Sequence, residues 1–311
     1  MKKALIKISI SFLLFAFILS KMDLATVWKN LKLLNPWYIP LIILLLLLNY
    51  IFSSIRWKKL LIFEKTSHIT LKYLVNLYFI GAFFNNFMPT SIGGDVFKIL
   101  KLGKKINSKA NAFSATFMER FTGIIALVLI SYFGFLRTLD MWLGFLPDQI
   151  LSNSFLVSLI EFVLLFGFWI AILVSFLSLK YISTKISKVK KLYDSLILYK
   201  NERKVLFWAL MTSIVVQFMG IFTQFFIFKA LGIDISFTYA IFILPVITMA
   251  SFFIPSLNGV GVQDGLYIQF LLPLGVPSEL ALSASIIYHL FRLFVSLIGG
   301  LLYATEKDSK Q

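Results

Sequence analysis

Two arginines carry the chemistry of this sequence. Arg120 lies within the apolar run 111–136, and Arg292 lies near the middle of 280–303. A charge at the centre of a membrane helix costs roughly 2.5–3.5 kcal/mol, so such a side chain usually faces a cavity and meets an acid or an anionic ligand. Each arginine follows an aspartate, Asp95 or Asp264, by 25 or 28 positions. Each aspartate ends a similar segment. The first is Phe87-Met88-Pro89-Thr90-Ser91-Ile92-Gly93-Gly94-Asp95. The second runs from Phe253-Ile254-Pro255-Ser256 through Asn258-Gly259-Val260-Gly261 to Asp264. Pro and Gly at membrane depth break a helix, and the freed backbone groups must then face protein or a wet cavity. The N–H groups that open the following helix attract anions. Ser91, Gly93 and Gly94 on one side, and Asn258, Gly259 and Gly261 on the other, are therefore expected to hold an anionic headgroup with Arg120 and Arg292. A plainer reading has the glycines serve only tight turns, with ion pairs Asp95–Arg292 and Asp264–Arg120 joining the two halves. The two roles are compatible.

Three further groups belong to this expectation. Glu119 adjoins Arg120, so the two point about 100° apart on a helix. Glu119, Glu161 and His289 are the side chains that could relay a proton. Lys98, at the end of the first broken segment, is expected either to touch a lipid phosphate or to anchor the chain at the inner surface. There are no cysteines and two histidines, His68 and His289, so thiol chemistry and a His-rich metal site are excluded. The expectation is no catalytic residue, metal or cofactor.

The elements that position these residues are apolar. The chain has 311 residues, 59% of them hydrophobic, and a mean hydropathy of +0.89. A span needs about 20 apolar residues. Runs near that length occupy 4–20, 37–55, 71–88, 111–136, 154–179, 205–228, 237–254 and 280–303, while 90–100 and 256–274 are too broken to cross alone. The first run resembles a signal peptide but lacks a small-x-small cleavage site, so it reads as a retained span. Of the 30 basic residues, 23 fall in segments 1–7, 56–72, 98–109, 180–204 and 304–311. Cytoplasmic loops collect Lys and Arg. The net charge of +16 therefore implies topology rather than nucleic acid, which is not an expected partner.

Segments 56–72 and 98–109 both lie inside on this rule, so 71–100 must enter and return as a hairpin. Segment 237–274 does the same from the opposite face. The predicted architecture is an all-α integral membrane protein of two inverted-topology repeats, 1–136 and 153–303. It has about six full spans, two re-entrant hairpins and no separate soluble domain. The basic segment 180–204 is expected to lie on the cytoplasmic surface. Both termini are placed in the cytoplasm and the chain in the cell membrane. Paired broken segments in two halves are the best pointer to a transporter's binding site.

At these motifs the sequence resembles the lysylphosphatidylglycerol synthase transmembrane-region family, also called flippase-like domain proteins. The matching stretches are Asn86 to Pro89, Gly93 to Lys98, Glu119 to Gly123, Pro255 to Gly265 and Tyr288 to Arg292. Asp264 stands where glutamate is commoner, Lys98 where arginine is commoner, and Asn258 replaces one usual glycine. The resemblance implies a flippase-type membrane domain. It implies no enzyme here, because the soluble aminoacyl-transfer domain of some relatives is absent. It also widens the substrate class from a membrane phospholipid to a polyprenyl-linked lipid. The expected function is movement of such an anionic lipid between leaflets. The alternatives are a membrane-embedded transferase acting on a lipid-linked substrate and a non-transporting scaffold of a lipid- or glycan-modifying enzyme. That enzyme, or a second copy of the chain, would be the protein partner.

Overall fold

The computed structural model describes residues 29, 32–63, 66, 68–86, 93–143, 155–156, 181, 183–254, 256 and 258–305. The expected span 4–20 and, apart from Phe155 and Leu156, the span 154–179 with Glu161 lie outside these residues, as does Ser91. Everything described is helix, turn or loop, with no strand among the described residues. Asn35 accepts from the Trp37 amide to open a 3-10 turn at Pro36–Tyr38, which leads into α1, Ile39–Lys59. Thr70 caps α2, Leu71–Asn85. Helix α3 is Gly93–Lys105. Ser108 caps α4, Lys109–Arg137. Helix α5 is Ser187–Leu198 and α6 is Arg203–Ala230. Ser236 caps α7, Phe237–Phe253, which carries Pro245 inside it. Helix α8 is Val262–Leu271 and α9 is Ser278–Thr305. Each cap replaces a hydrogen bond that the first turn of a helix lacks.

Among the described residues, four helices are long and apolar enough to cross a membrane: Pro36–Lys59, Lys109–Arg137, Arg203–Ala230 and Ser278–Thr305. Their outward surface carries Leu44, Phe133, Phe294 and Leu301, all exposed, as suits helices solvated by hydrocarbon. Helices α2, α3, α7 and α8 are shorter, 10 to 17 residues each. At 15 residues α2 reaches about 22 Å, and at 10 residues α8 reaches about 15 Å. Neither matches a hydrocarbon core about 30 Å thick.

The helices pair in a regular way. Helix α1 packs on α6, α4 on α7, and α2 on α9. Helix α3 fits between α2 and α4, and α8 lies on α9. Glycines set the closest approaches. A Cβ on Gly94 of α3 would stand 1.9 Å from the Gly81 carbonyl oxygen of α2. One on Gly134 of α4 would meet the Phe242 nitrogen of α7 at 2.6 Å, and one on Gly299 of α9 would meet the Phe79 oxygen of α2 at 2.0 Å. Lipid supplies no hydrophobic drive between helices, so small residues that bring backbones together do this work. The basic segment 180–204 is docked as well as amphipathic. Helix α5 packs on α4, Ser195 and Ser114 are hydrogen-bonded at 3.0 Å, and Tyr199 donates to the Leu60 carbonyl at 2.6 Å. Lys190 and Lys191 face outward.

Candidate functional site

The close crossing of Gly94 on Gly81 brings the first turn of α3 against α2 and α4. There Asp95, Lys98 and Glu119 become nearly inaccessible, at 4%, 3% and 1% exposure. Buried charges need partners, and these form an alternating chain. Arg56 of α1 donates to Glu119 at 2.8 Å. Lys98 bridges Glu119 at 3.2 Å and Asp95 at 3.0 Å. Asp95 then accepts from Arg120 Nε at 2.6 Å. Tyr78 adds a hydrogen bond to Glu119 at 2.7 Å, and Arg56 also donates to Ser213 of α6 at 3.0 Å. The Lys98 ammonium lies over the rings of Trp57 and Tyr78, at 4.8 and 4.1 Å. Three cations thus enclose two carboxylates. The Arg120 side chain, 32% exposed, is the open end of the chain.

A different arrangement faces it. The tip between α7 and α8 turns through Asn258, Gly259 and Gly261, all at positive φ of 52°, 93° and 85°. Gly fits that backbone without strain and Asn tolerates it. The turn aims the Asn258 amide two ways. Its Oδ1 accepts from Arg292 Nη2 at 2.6 Å, and its Nδ2 donates to Asn86 at 2.5 Å. Asn86 in turn donates to Ser296 of α9 at 2.7 Å. Among the described residues no carboxylate pairs with Arg292, whose guanidinium lies 5.2 Å from the centre of the Tyr288 ring. Asp264 sits behind the tip. It accepts from the Gly261 amide at 2.8 Å and from Ser285 at 2.6 Å. His289 Nε2 stands 3.3 Å away, without hydrogen-bond geometry.

Between the two arrangements lies a cavity of about 180 Å³, room for on the order of ten waters. Arg56, Lys98, Arg120 and Arg292 line it together with Asp95, Asn258 and a polar wall. Four cations there answer to two carboxylates, Asp95 in the lining and Glu119 behind it. An anion entering this space meets a positive field in a low-dielectric surround, where charge interactions are strongest. Among the described residues no group of three or more His, Asp and Glu could hold a metal ion.

The residues singled out from the sequence are placed unequally. Arg120, Arg292, Asp95, Lys98 and Asn258 meet at the cavity. Glu119 orders the cations behind it. The expected crossed pairs are corrected. Asp95 binds Arg120, on the neighbouring helix of its own half, and among the described residues Asp264 pairs with no arginine. Lys98 is no surface anchor, since it is buried against two acids. Gly93 opens α3 and Gly94 is a packing residue whose N–H already donates to Asn85 at 2.6 Å. The Gly261 N–H is likewise taken by Asp264, so at these two positions backbone amides are not open to a ligand.

Arg56, Tyr78 and the polar wall were not singled out. Arg56 was counted with the inner basic block it adjoins. The usable signal was a polar stripe in apolar helices, Asn49, Ser53 and Arg56 on α1 facing Ser213, Gln217 and Gln224 on α6, each at spacings of three, four or seven. Tyr78→Phe removes one of the hydrogen bonds on a buried carboxylate, a bond worth about 1.5–3 kcal/mol. The purified variant should melt below wild type while remaining folded, as followed by tryptophan fluorescence on heating.

The family model for the lysylphosphatidylglycerol synthase TM region matches residues 4–300. The UPF0104 membrane protein MJ1595 of Methanocaldococcus jannaschii is 25% identical over an alignment 336 positions long, covering 99% of this chain and 97% of that protein. No solved structure matches the chain.

Proposed function

The chain belongs to the lysylphosphatidylglycerol synthase transmembrane-region family, and on that basis we propose that it is a flippase-like transporter moving an anionic lipid between leaflets. The observation that carries the reading is the cavity in which Arg120 and Arg292 face each other from the two halves, with Arg292 paired to an amide rather than to an acid. An anionic headgroup would complete that pairing while its acyl chains remain in the bilayer. The gain offsets the cost of keeping charge at membrane depth.

The helix order supports an inverted repeat behind this site. A long helix, two short ones and a long one occur twice, as α1–α4 and α6–α9. Exchanging the halves turns the α2–α9 contact into α7–α4 and leaves α1–α6 unchanged. Basic residues end α1 and begin α6, so the positive-inside rule gives the halves opposite orientations, with both termini cytoplasmic in the cell membrane. The short pairs α2–α3 and α7–α8 then dip in from opposite faces as re-entrant hairpins.

Reconstituted vesicles test the proposal. Fluorescent phosphatidylglycerol in both leaflets is bleached from outside by an impermeant reductant. Wild type should bring the inner pool out within minutes, whereas Arg292→Ala should leave it protected. Equal exposure of that pool by both proteins would remove the role assigned to Arg292, and no exposure by wild type would end the flippase reading.

A further inference from the structure

Part of the polar wall of the cavity is built to accept hydrogen bonds. Asn49 donates its amide N–H to the Val216 carbonyl at 2.9 Å. Gln217 donates its own to the Gly123 carbonyl at 3.1 Å. A carbonyl can only accept, so the orientation of both amides is determined by their partners. Each is left with a carbonyl oxygen that has no protein donor among the described residues. Gln263, 3% exposed, buries its Oε1 with no hydrogen-bond partner among the described residues. All three residues line the cavity with Arg120 and Arg292.

These oxygens constrain the ligand. A phosphate offers mostly acceptors, which suit the arginines and cannot serve an amide oxygen. Something attached to the phosphate must bring donors. An ammonium group would bring them, but it would enter a cavity where cations outnumber acids. Glu119 is occupied by Arg56, Lys98 and Tyr78, and Asp95 by Arg120 and Lys98. No carboxylate among the lining residues is left for an amine. Hydroxyl groups satisfy both demands. We propose that the site selects a phosphodiester headgroup bearing hydroxyls, glycerol or a sugar, over bare phosphate esters and over amine-bearing headgroups. This rests on the lipid-binding reading above and narrows it to one class of headgroup.

The test compares lipids equal in charge. The full chain in nonionic detergent is titrated with phosphatidylglycerol and with phosphatidylmethanol, which share one negative charge and differ in two hydroxyls. Bound lipid is counted by native mass spectrometry. Phosphatidylglycerol should bind about tenfold tighter, the factor that one or two neutral hydrogen bonds supply. Lysylphosphatidylglycerol, with its added ammonium groups, should bind more weakly than either. In Gln263→Met and Gln217→Met the tenfold gap should shrink below about threefold, while phosphatidylmethanol affinity stays at its wild-type value and reports an intact site. A second pair, polyprenyl phosphate with and without one attached sugar, identifies which tail carries the headgroup. A hydroxyl preference in either pair supports the proposal. Equal affinities within both pairs overturn it and leave the flippase reading standing. If no anionic lipid binds, both fall.

Discussion

Glu119→Ala should be the most damaging single substitution at the cavity, costing about 3–5 kcal/mol of stability, the range for breaking a buried ion pair by removing one partner. Glu119 holds Arg56 at 2.8 Å, Lys98 at 3.2 Å and Tyr78 at 2.7 Å. Without it, among the described residues, Arg56 keeps Ser213 but no acid, and Lys98 keeps one acid, Asp95. Three cations would then answer to one carboxylate, and two of them, Arg56 and Lys98, are buried. The yield of folded protein and its melting midpoint in mild detergent should both fall well below those of Tyr78→Phe. Glu119→Gln keeps the shape and should fall between. Arg56→Met added to Glu119→Gln returns the cluster to its wild-type net charge and should recover part of the loss; with Arg56→Met alone it completes a double-mutant cycle that isolates the pair. A Glu119→Ala protein as stable as wild type would mean that the alternating charges contribute nothing to the fold.

Gly299→Ala should be nearly as severe for a steric reason. The added methyl carbon would lie 2.0 Å from the Phe79 carbonyl oxygen and 2.3 Å from its carbon. These are main-chain atoms inside α2, so no rotamer change relieves the contact. Overpacking typically costs 1–3 kcal/mol, and this contact belongs at or above the upper end because two helices must separate. The shift displaces α2, which carries Tyr78 and Gly81, so the lipid transport proposed above should fall with stability. Gly265→Ala is the internal control. Nothing stands within 4 Å of its added carbon, and alanine favours helix by up to about 1 kcal/mol over glycine. It should leave stability equal or higher. Melting midpoints of the two variants, measured side by side, decide the matter.

The long helices were legible in the sequence because an apolar run of some 20 residues has one stable form in lipid. Spans read at 37–55, 111–136, 205–228 and 280–303 fall within Pro36–Lys59, Lys109–Arg137, Arg203–Ala230 and Ser278–Thr305. The breaks after Asn85 and Phe253 were announced by the Pro and Gly residues beyond them. Partner choice was not legible. Asp95 could have reached either arginine by composition, and only the packing of α3 between α2 and α4 gives it Arg120. Gly94 showed a similar ambiguity. A glycine before an aspartate at a helix start reads equally as an anion nest and as a bare surface for a neighbouring backbone. The contact with Gly81 decides for the second. Arg56 was concealed by its neighbours Lys58 and Lys59, because a count of loop charges does not separate a buried guanidinium from two exposed amines.

The double duty of Asn258 has a thermodynamic consequence. The guanidinium of Arg292 draws electron density from the Asn258 oxygen, and this polarisation makes the same amide a stronger donor to Asn86. An anion that captures Arg292 therefore weakens the tie between the tip and the end of α2. Linkage makes the effect reciprocal: parting Asn258 from Asn86 must raise the anion's affinity by the same factor by which the anion loosens that tie. Occupancy of the cavity and mobility of its rim are thus two readings of one coupling free energy.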